Sequence, residues 1–375
     1  MSSTINGQVS HWFTELPSPR PALPGDRDAD VCIVGAGYTG LWTAYYLLRA
    51  DPSLRITVLE ERFAGFGASG RNGGWLSGLA PGHRGLLAKR HGRAAVIAWQ
   101  HALNGAVDEV IAVAGRERID ADIVKGGTLE VARNQPQVQR LRAQVDDDRS
   151  WGDTDSVLLT KDEAAQRVNV DRMLLGAYTP HCARIQPAKL VRGLADTVER
   201  LGGRLHEQTT VTEIGPGRAS TPHGSVRAPI VLRATEGFTT TLPGLKRRWL
   251  PMNSAMIATD PLPAEMWSDI GWQGRETLGD TAHGFFYAQR TADDRIAIGG
   301  RAVPYRYGSG IDRDGAVGPP GLDDRGRQNQ QHAAEQDQPR DEVADDVLQA
   351  ETDADRQRTG KQRGLRQIDA ERRDR

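Results

Sequence analysis

The block Asp30-Val-Cys-Ile-Val34, Gly35-Ala36-Gly37-Tyr38-Thr39-Gly40, then a proline-free stretch to Ala50, constrains this chain more than any other part of it. A short apolar run rich in β-branched residues ends at glycine and reads as a buried strand. Residues 38–50 have helical spacing. Residues 55–59 form a second strand ended by Glu60. Strand, G-x-G-x-x-G, helix, strand and acid in that order form the dinucleotide-binding βαβ unit. Gly35 permits the tight turn, Gly37 lets the backbone approach a diphosphate, and Gly40 lets the helix lie close to the sheet. The helix start at Ala36–Thr39 offers unpaired N–H groups and a partial positive charge to phosphate. Glu60 would accept hydrogen bonds from ribose hydroxyls and repel a 2′-phosphate, which disfavours NADP. The competing explanation is a glycine-rich turn that holds nothing.

The βαβ unit serves FAD and NAD alike. The next segment, Gly65 to Gly78 (GFGASGRNGGWLSG), is a second glycine-rich loop directly after the acid. A long cofactor needs further close backbone contacts there. Ser69 and Asn72 can hydrogen-bond phosphate or ribityl groups, and Arg71 can neutralise diphosphate charge. A solvent-exposed flexible loop is the alternative reading.

With those residues in view, the blocks 30–48 and 56–74 resemble the D-amino-acid-oxidase-like flavoproteins, in the branch of γ-glutamylputrescine oxidoreductase and glycine/sarcosine oxidase. Looser similarity lies in 127–134, 178–195 and 287–309, so the resemblance covers about 12–318. It implies an α/β fold: a Rossmann-like FAD-binding domain with a parallel sheet, built from 28–118 and 184–245, and a mostly antiparallel α+β substrate domain from 119–183 and 246–312. It implies FAD as cofactor, held by Gly35, Gly37, Gly40, Glu60, Ser69, Arg71, Asn72 and Gly73. Val211 matches the position whose backbone meets adenine, and Ala234-Thr235 a strand-end turn near the cofactor. It implies oxidation of a C–N bond of an amine or amino acid, with hydride passing to the flavin and the imine hydrolysing afterwards. No general base is assigned.

For substrate contact the candidates are Trp75 beside the loop, and Tyr287, Gln289, Arg290 and Arg301 on strands of the second domain. Alternating positions on such strands would face the flavin, and an arginine could clamp a carboxylate. Ordinary packing or surface roles compete for each. The other readings kept open are an NAD-dependent Rossmann dehydrogenase and a catalytically inactive remnant.

Bulk properties exclude little beyond this. A net charge of −1 gives no sign of nucleic acid or an anionic membrane as partner. No apolar run approaches the roughly 20 residues that span a bilayer. Two distant cysteines, Cys32 and Cys182, argue against a disulfide framework or a zinc site. Absence of an apolar leader, after a lead-in containing Pro17, Pro19, Pro21 and Pro24, favours the cytoplasm. From about Pro319 the chain lacks Phe, Trp and Tyr and is dense in charge. Such a composition cannot bury enough apolar surface to order itself, so the tail, from 313 at the earliest, is expected to be disordered. Relatives carry a glycine-rich turn and helix where this tail stands. Its texture suggests a gene read out of frame past codon 318, with weak or absent FAD retention as the expected result.

Overall fold

The computed structural model describes residues 9–152, 155–250 and 254–300. Arg301 and the expected tail lie outside the described residues.

Val31–Val34 and Ile56–Leu59 are apolar but for Thr57, and every residue in them is buried. Continuous burial requires both faces to be covered, which is the condition of a parallel sheet. They form the centre of a four-stranded, all-parallel sheet ordered Ile230–Arg233, Val31–Val34, Ile56–Leu59, Arg204–His206. Alternation divides the side chains between the faces. Val31 and Ile33 meet helix Tyr38–Ala50 through Leu41, Ala44 and Tyr45, and helix Pro187–Arg200 through Val191, Leu194 and Val198. Cys32 and Val34 face a smaller sheet, where Ala219 and Val226 join Leu23 in a second core. Helix Pro187–Arg200 starts with proline in its first turn, and the Gln186 side chain accepts from Lys189 N–H. The chain reverses after it at Gly202, where φ is +98°.

The second sheet has seven strands in the order Met256–Ala258, Ile296–Gly300, Phe286–Arg290, Thr277–Asp280, Thr128–Ala132, Leu175–Thr179, Val157–Leu159. Its pairs are antiparallel except Thr277–Asp280 with Thr128–Ala132. One face buries Leu129, Val131, Leu278 and Ala288 against Trp267 and Trp272. On the other, helix Gln135–Ser150, capped by the Asn134 side chain, packs Leu141 and Val145 over Ala132 and Ala177.

Gly92, at φ +85°, separates helix Arg84–His91 from helix Arg93–Glu117. The glycine-rich loop Gly65–Gly78 contains strand Trp75–Ser77, paired antiparallel with Cys182–Arg184. Arg204–His206 and Glu213–Gly215 lie in different sheets, and Gln208, at φ +49°, stands between them. The lead-in is extended but not merely trailing: Trp12 and Phe13 are buried beside Ala188 and Ala297. Both cysteines are buried and unbridged. No helix among the described residues is long and apolar enough to cross a membrane.

Candidate functional site

The carboxyl ends of the parallel strands open into one cleft of about 940 Å³, measured out to its mouth. Val34 and Gly35 line it from the first strand, Leu59 and Glu60 from the second, Ala234 and Thr235 from the edge strand. The start of helix Tyr38–Ala50 forms one wall, the 65–69 loop another, and Thr209 and Val211 a third. Ligands of open parallel sheets bind at this end.

Each glycine of the motif has a separate cause. Gly35 has φ +108°, and a Cβ there would stand 2.4 Å from the Ala234 carbonyl oxygen. A Cβ on Gly40 would stand 2.1 Å from the Gly35 carbonyl oxygen, so this glycine sets the helix against the strand. Gly37 faces the cleft, and a Cβ there would meet only the Ser69 side chain, with Oγ at 2.9 Å. Gly37 is also the helix N-cap and supplies no side-chain cap. The Tyr38 N–H is taken by Ser69 Oγ at 2.9 Å. Thr39 lines the cleft, so the first turn presents backbone N–H groups to it.

Glu60 points into the cleft. Its Oε2 accepts from Ala36 N–H at 2.9 Å and its Oε1 from Arg62 N–H at 3.1 Å. Burial pushes its carboxyl above the usual range; the two N–H groups oppose that, and nearby Glu207 and Glu61 add to it. Each oxygen retains acceptor capacity for a sugar diol.

The remaining expected cofactor contacts divide. Gly35, Gly37, Thr39, Glu60, Ser69 and Val211 line the cleft; Ala36, Gly40, Arg71, Asn72 and Gly73 do not. Ala36 and Gly40 act from behind it, as described. Arg71 stacks its guanidinium on the Phe66 ring, 4.7 Å from the centroid. Asn72 is turned into its own loop: Nδ2 donates to Ala68 O and Ser69 O at 3.2 and 3.0 Å, and Oδ1 accepts from Gly74 N–H at 2.8 Å. Its side chain is thus a loop fastener and not the phosphate donor expected of it. Gly73 abuts the Tyr287 ring, where a Cβ would come within 2.7 Å.

The second sheet meets this loop through alternate residues of Phe286–Arg290. Tyr287 and Gln289 face it. Tyr287 donates to or accepts from Ser254 Oγ at 2.9 Å and meets Trp75 edge to face, centroids 6.1 Å apart. Trp75 Nε1 is buried without a hydrogen-bond partner. Arg290, expected as a substrate clamp, is on the opposite face: its guanidinium is 3.9 Å from the centre of the Trp267 ring and pairs with Asp294 at 2.7 Å. One residue of phase separates Gln289 from Arg290, and period-two alternation alone could not set it.

Sequence reasoning missed Thr209, Phe66, Phe238 and Leu242 as lining residues. It also missed Glu207, whose fully buried carboxylate accepts from Ala64 N–H at 2.9 Å and pairs with Arg20 and Arg192 at 2.9 and 3.1 Å. The signal available was an Arg-Pro lead-in and an acid directly after the short strand Arg204–His206, which is too common to use.

Comparison with known proteins gives three findings. A family model described as FAD dependent oxidoreductase matches residues 30–367. Gamma-glutamylputrescine oxidoreductase from Escherichia coli is 31% identical over 292 residues, 76% of this chain and 67% of that protein. Glycine oxidase from Geobacillus kaustophilus superposes with a TM-score of 0.58 at 21% identity, covering 78% of this chain and 75% of that one. That last likeness speaks for the fold alone.

Proposed function

The chain belongs to the FAD dependent oxidoreductase family, and on that premise we propose that it oxidises a C–N bond of an amine or amino acid. One observation carries the reading: the glycine-lined start of helix Tyr38–Ala50 and the Glu60 carboxylate open onto the same cleft. The residues fit the cofactor. Gly35 and Gly37 leave the room a side chain would fill, the helix start supplies N–H groups for a diphosphate, and Glu60 supplies an acceptor for ribose. Val211 lines the same cleft and would meet the adenine. The NAD alternative gives way to the family match.

FAD, when bound, supplies a two-electron acceptor for the C–H bond next to nitrogen. The chain's own task is to bind, orient and keep water out. Trp75 and Tyr287 are proposed as substrate-facing walls, and the two sheets as cofactor and substrate lobes. The amine class rests on the Escherichia coli relative, whose name states action on gamma-glutamylputrescine. A cytoplasmic setting belongs to the proposal and is supported by two unbridged buried thiols.

The test is direct. Incubated with FAD and then heat-denatured, the protein should release FAD, and a panel of primary and secondary amines should yield the aldehyde or keto product. FAD without turnover on any amine would turn the assignment toward an inactive remnant. Release of a nicotinamide nucleotide, or of nothing after incubation with FAD, would end the flavoenzyme reading.

A further inference from the structure

Three consecutive carbonyls of the loop beyond the cleft are held from elsewhere in the chain. Asn72 O accepts from Trp12 Nε1 at 2.8 Å, out of the lead-in. Gly73 O accepts from Gln289 Nε2 at 2.8 Å. Gly74 O accepts from Gln289 Nε2 at 3.1 Å and from Ile185 N–H at 2.8 Å. The same Gln289 nitrogen reaches Ile185 O at 3.2 Å. One amide thus fastens the seven-stranded sheet both to the loop and to Ile185, two residues before helix Pro187–Arg200.

Gln289 is wholly buried, at 0% exposure. Its amide has one tenable orientation, since turning it would set Oε1 against three carbonyl oxygens. The glycines make the approach possible. Gly74 has φ +68°, and a Cβ there would lie 2.0 Å from Gln289 Nε2. A Cβ on Gly73 would strike the Tyr287 ring. Tyr287 and Gln289 therefore press on the loop as a pair, one by contact and one by hydrogen bonds.

We infer that Gln289 is a positioning residue, which sets the place of Gly73–Gly74 beside the cofactor by donating to their carbonyls from the substrate-side sheet. Only the cofactor half of this inference rests on the proposed function. The hydrogen-bond half is a statement about the flavin-free chain.

The test compares Gln289→Leu and Gln289→Glu in the full chain, from about pH 5 to 8.5. Leucine keeps the bulk and removes the donors. A glutamate buried among carbonyls has its carboxyl pushed up, so its neutral form can donate at low pH and is lost as pH rises. In the flavin-free protein, amide exchange of residues 72–78, corrected for intrinsic rate, should be about tenfold faster in Gln289→Leu at every pH. Gln289→Glu should recover part of the wild-type protection at the acid end, since a neutral carboxyl offers one donor where the amide offers two, and should match Gln289→Leu at the alkaline end. In flavin-loaded protein, the visible absorption band should shift in the same pattern. Wild-type exchange in Gln289→Leu, or a Gln289→Glu variant indistinguishable from it at all pH, overturns the inference. So does faster exchange with an unmoved flavin band. If Gln289→Leu does not fold, recovery of Gln289→Glu on acidification alone still decides. A chain that takes up no FAD defeats the proposed function but leaves the exchange result to stand.

Discussion

The three motif glycines should separate cleanly by alanine substitution, because their reasons differ. For Gly40→Ala, the new Cβ lies 2.1 Å from the Gly35 carbonyl oxygen, where contacts under 3.0 Å force a shift. The obstacle is backbone, so no rotamer change relieves it, and the helix must withdraw by about 1 Å. Overpacking of that kind costs roughly 1–3 kcal/mol, and better helix propensity returns about 1 kcal/mol. A net loss of about 1 kcal/mol, and at most about 2, is expected. Gly37→Ala is different. Gly37 has φ −86°, which alanine adopts freely, and the Cβ meets only Ser69 Oγ. Ser69 rotates away and leaves the Tyr38 N–H without its 2.9 Å partner, at about 1 kcal/mol. Reduced freedom of the unfolded chain returns roughly 0.4–1 kcal/mol. Stability should therefore stay within about 0.5 kcal/mol of wild type. The methyl and the displaced hydroxyl both stand where a diphosphate would cross the helix start, so FAD affinity should fall at least about tenfold. Urea unfolding of the flavin-free chains and fluorescence titration with FAD give the two numbers. A Gly37→Ala variant that unfolds as easily as Gly40→Ala, or binds FAD like wild type, would refute this division of labour.

Glu60→Gln should weaken FAD binding about tenfold or more, since a hydrogen bond to a charged acceptor is worth roughly 1.5–3 kcal/mol. The pH dependence has a defined sign. The Glu60 carboxyl is raised by burial, so its contribution to the stability of the flavin-free fold is present below the ordinary carboxylate range and fades as pH rises through the raised value. Ribose hydroxyls prefer the ionised form, so affinity should climb over that same interval; calorimetric titration should show both trends flattened in Glu60→Gln. Arg20→Met leaves the buried Glu207 carboxylate with Arg192 and two backbone N–H groups, those of Ala64 and of residue 20 itself; a loss at the lower end of about 3–5 kcal/mol is expected in chemical unfolding. Arg290→Leu removes the contact with Trp267 and the Asp294 pair; it should lower stability by about 1–2 kcal/mol and leave the amine KM unchanged, while a raised KM at unchanged stability would return Arg290 to the substrate site.

The βαβ unit was legible almost residue by residue because its local causes agree. Burial, glycine placement and strand length all point one way between Val31 and Glu60. Helix Gln135–Ser150 escaped notice because its buried face is narrow: Gln137, Leu141 and Val145 among ten polar or charged neighbours give little periodic signal. Asn72 was read for what its amide can offer a ligand, whereas the amide is consumed within four residues of itself. Trp12 and Phe13 were hidden by the prolines that follow them. Their burial depends on Gly70, where a Cβ would lie 2.8 Å from the Phe13 ring, a contact between residues far apart in sequence. Residue type thus announced the parallel sheet, while side-chain direction in the second sheet needed the register.

The cleft also explains why so few side chains could be assigned chemistry. Strand Val31–Val34 delivers Gly35, strand Ile56–Leu59 delivers Glu60, strand Ile230–Arg233 delivers Ala234 and Thr235, and the chain after Arg204–His206 delivers Thr209 and Val211. Apart from Glu60, what these strand ends offer a cofactor is mainly main chain: N–H groups, carbonyls and absent Cβ atoms. Main-chain donors are held by the sheet that supplies them, so they need no reorganisation when a ligand arrives. The cost is that their position depends on everything that fixes the backbone. Substitutions far from the cleft, at Gly40, Arg20 or Gln289, should therefore alter flavin binding through the placement of strand ends and loop, and should do so in proportion to local exchange rates measured before any cofactor is added.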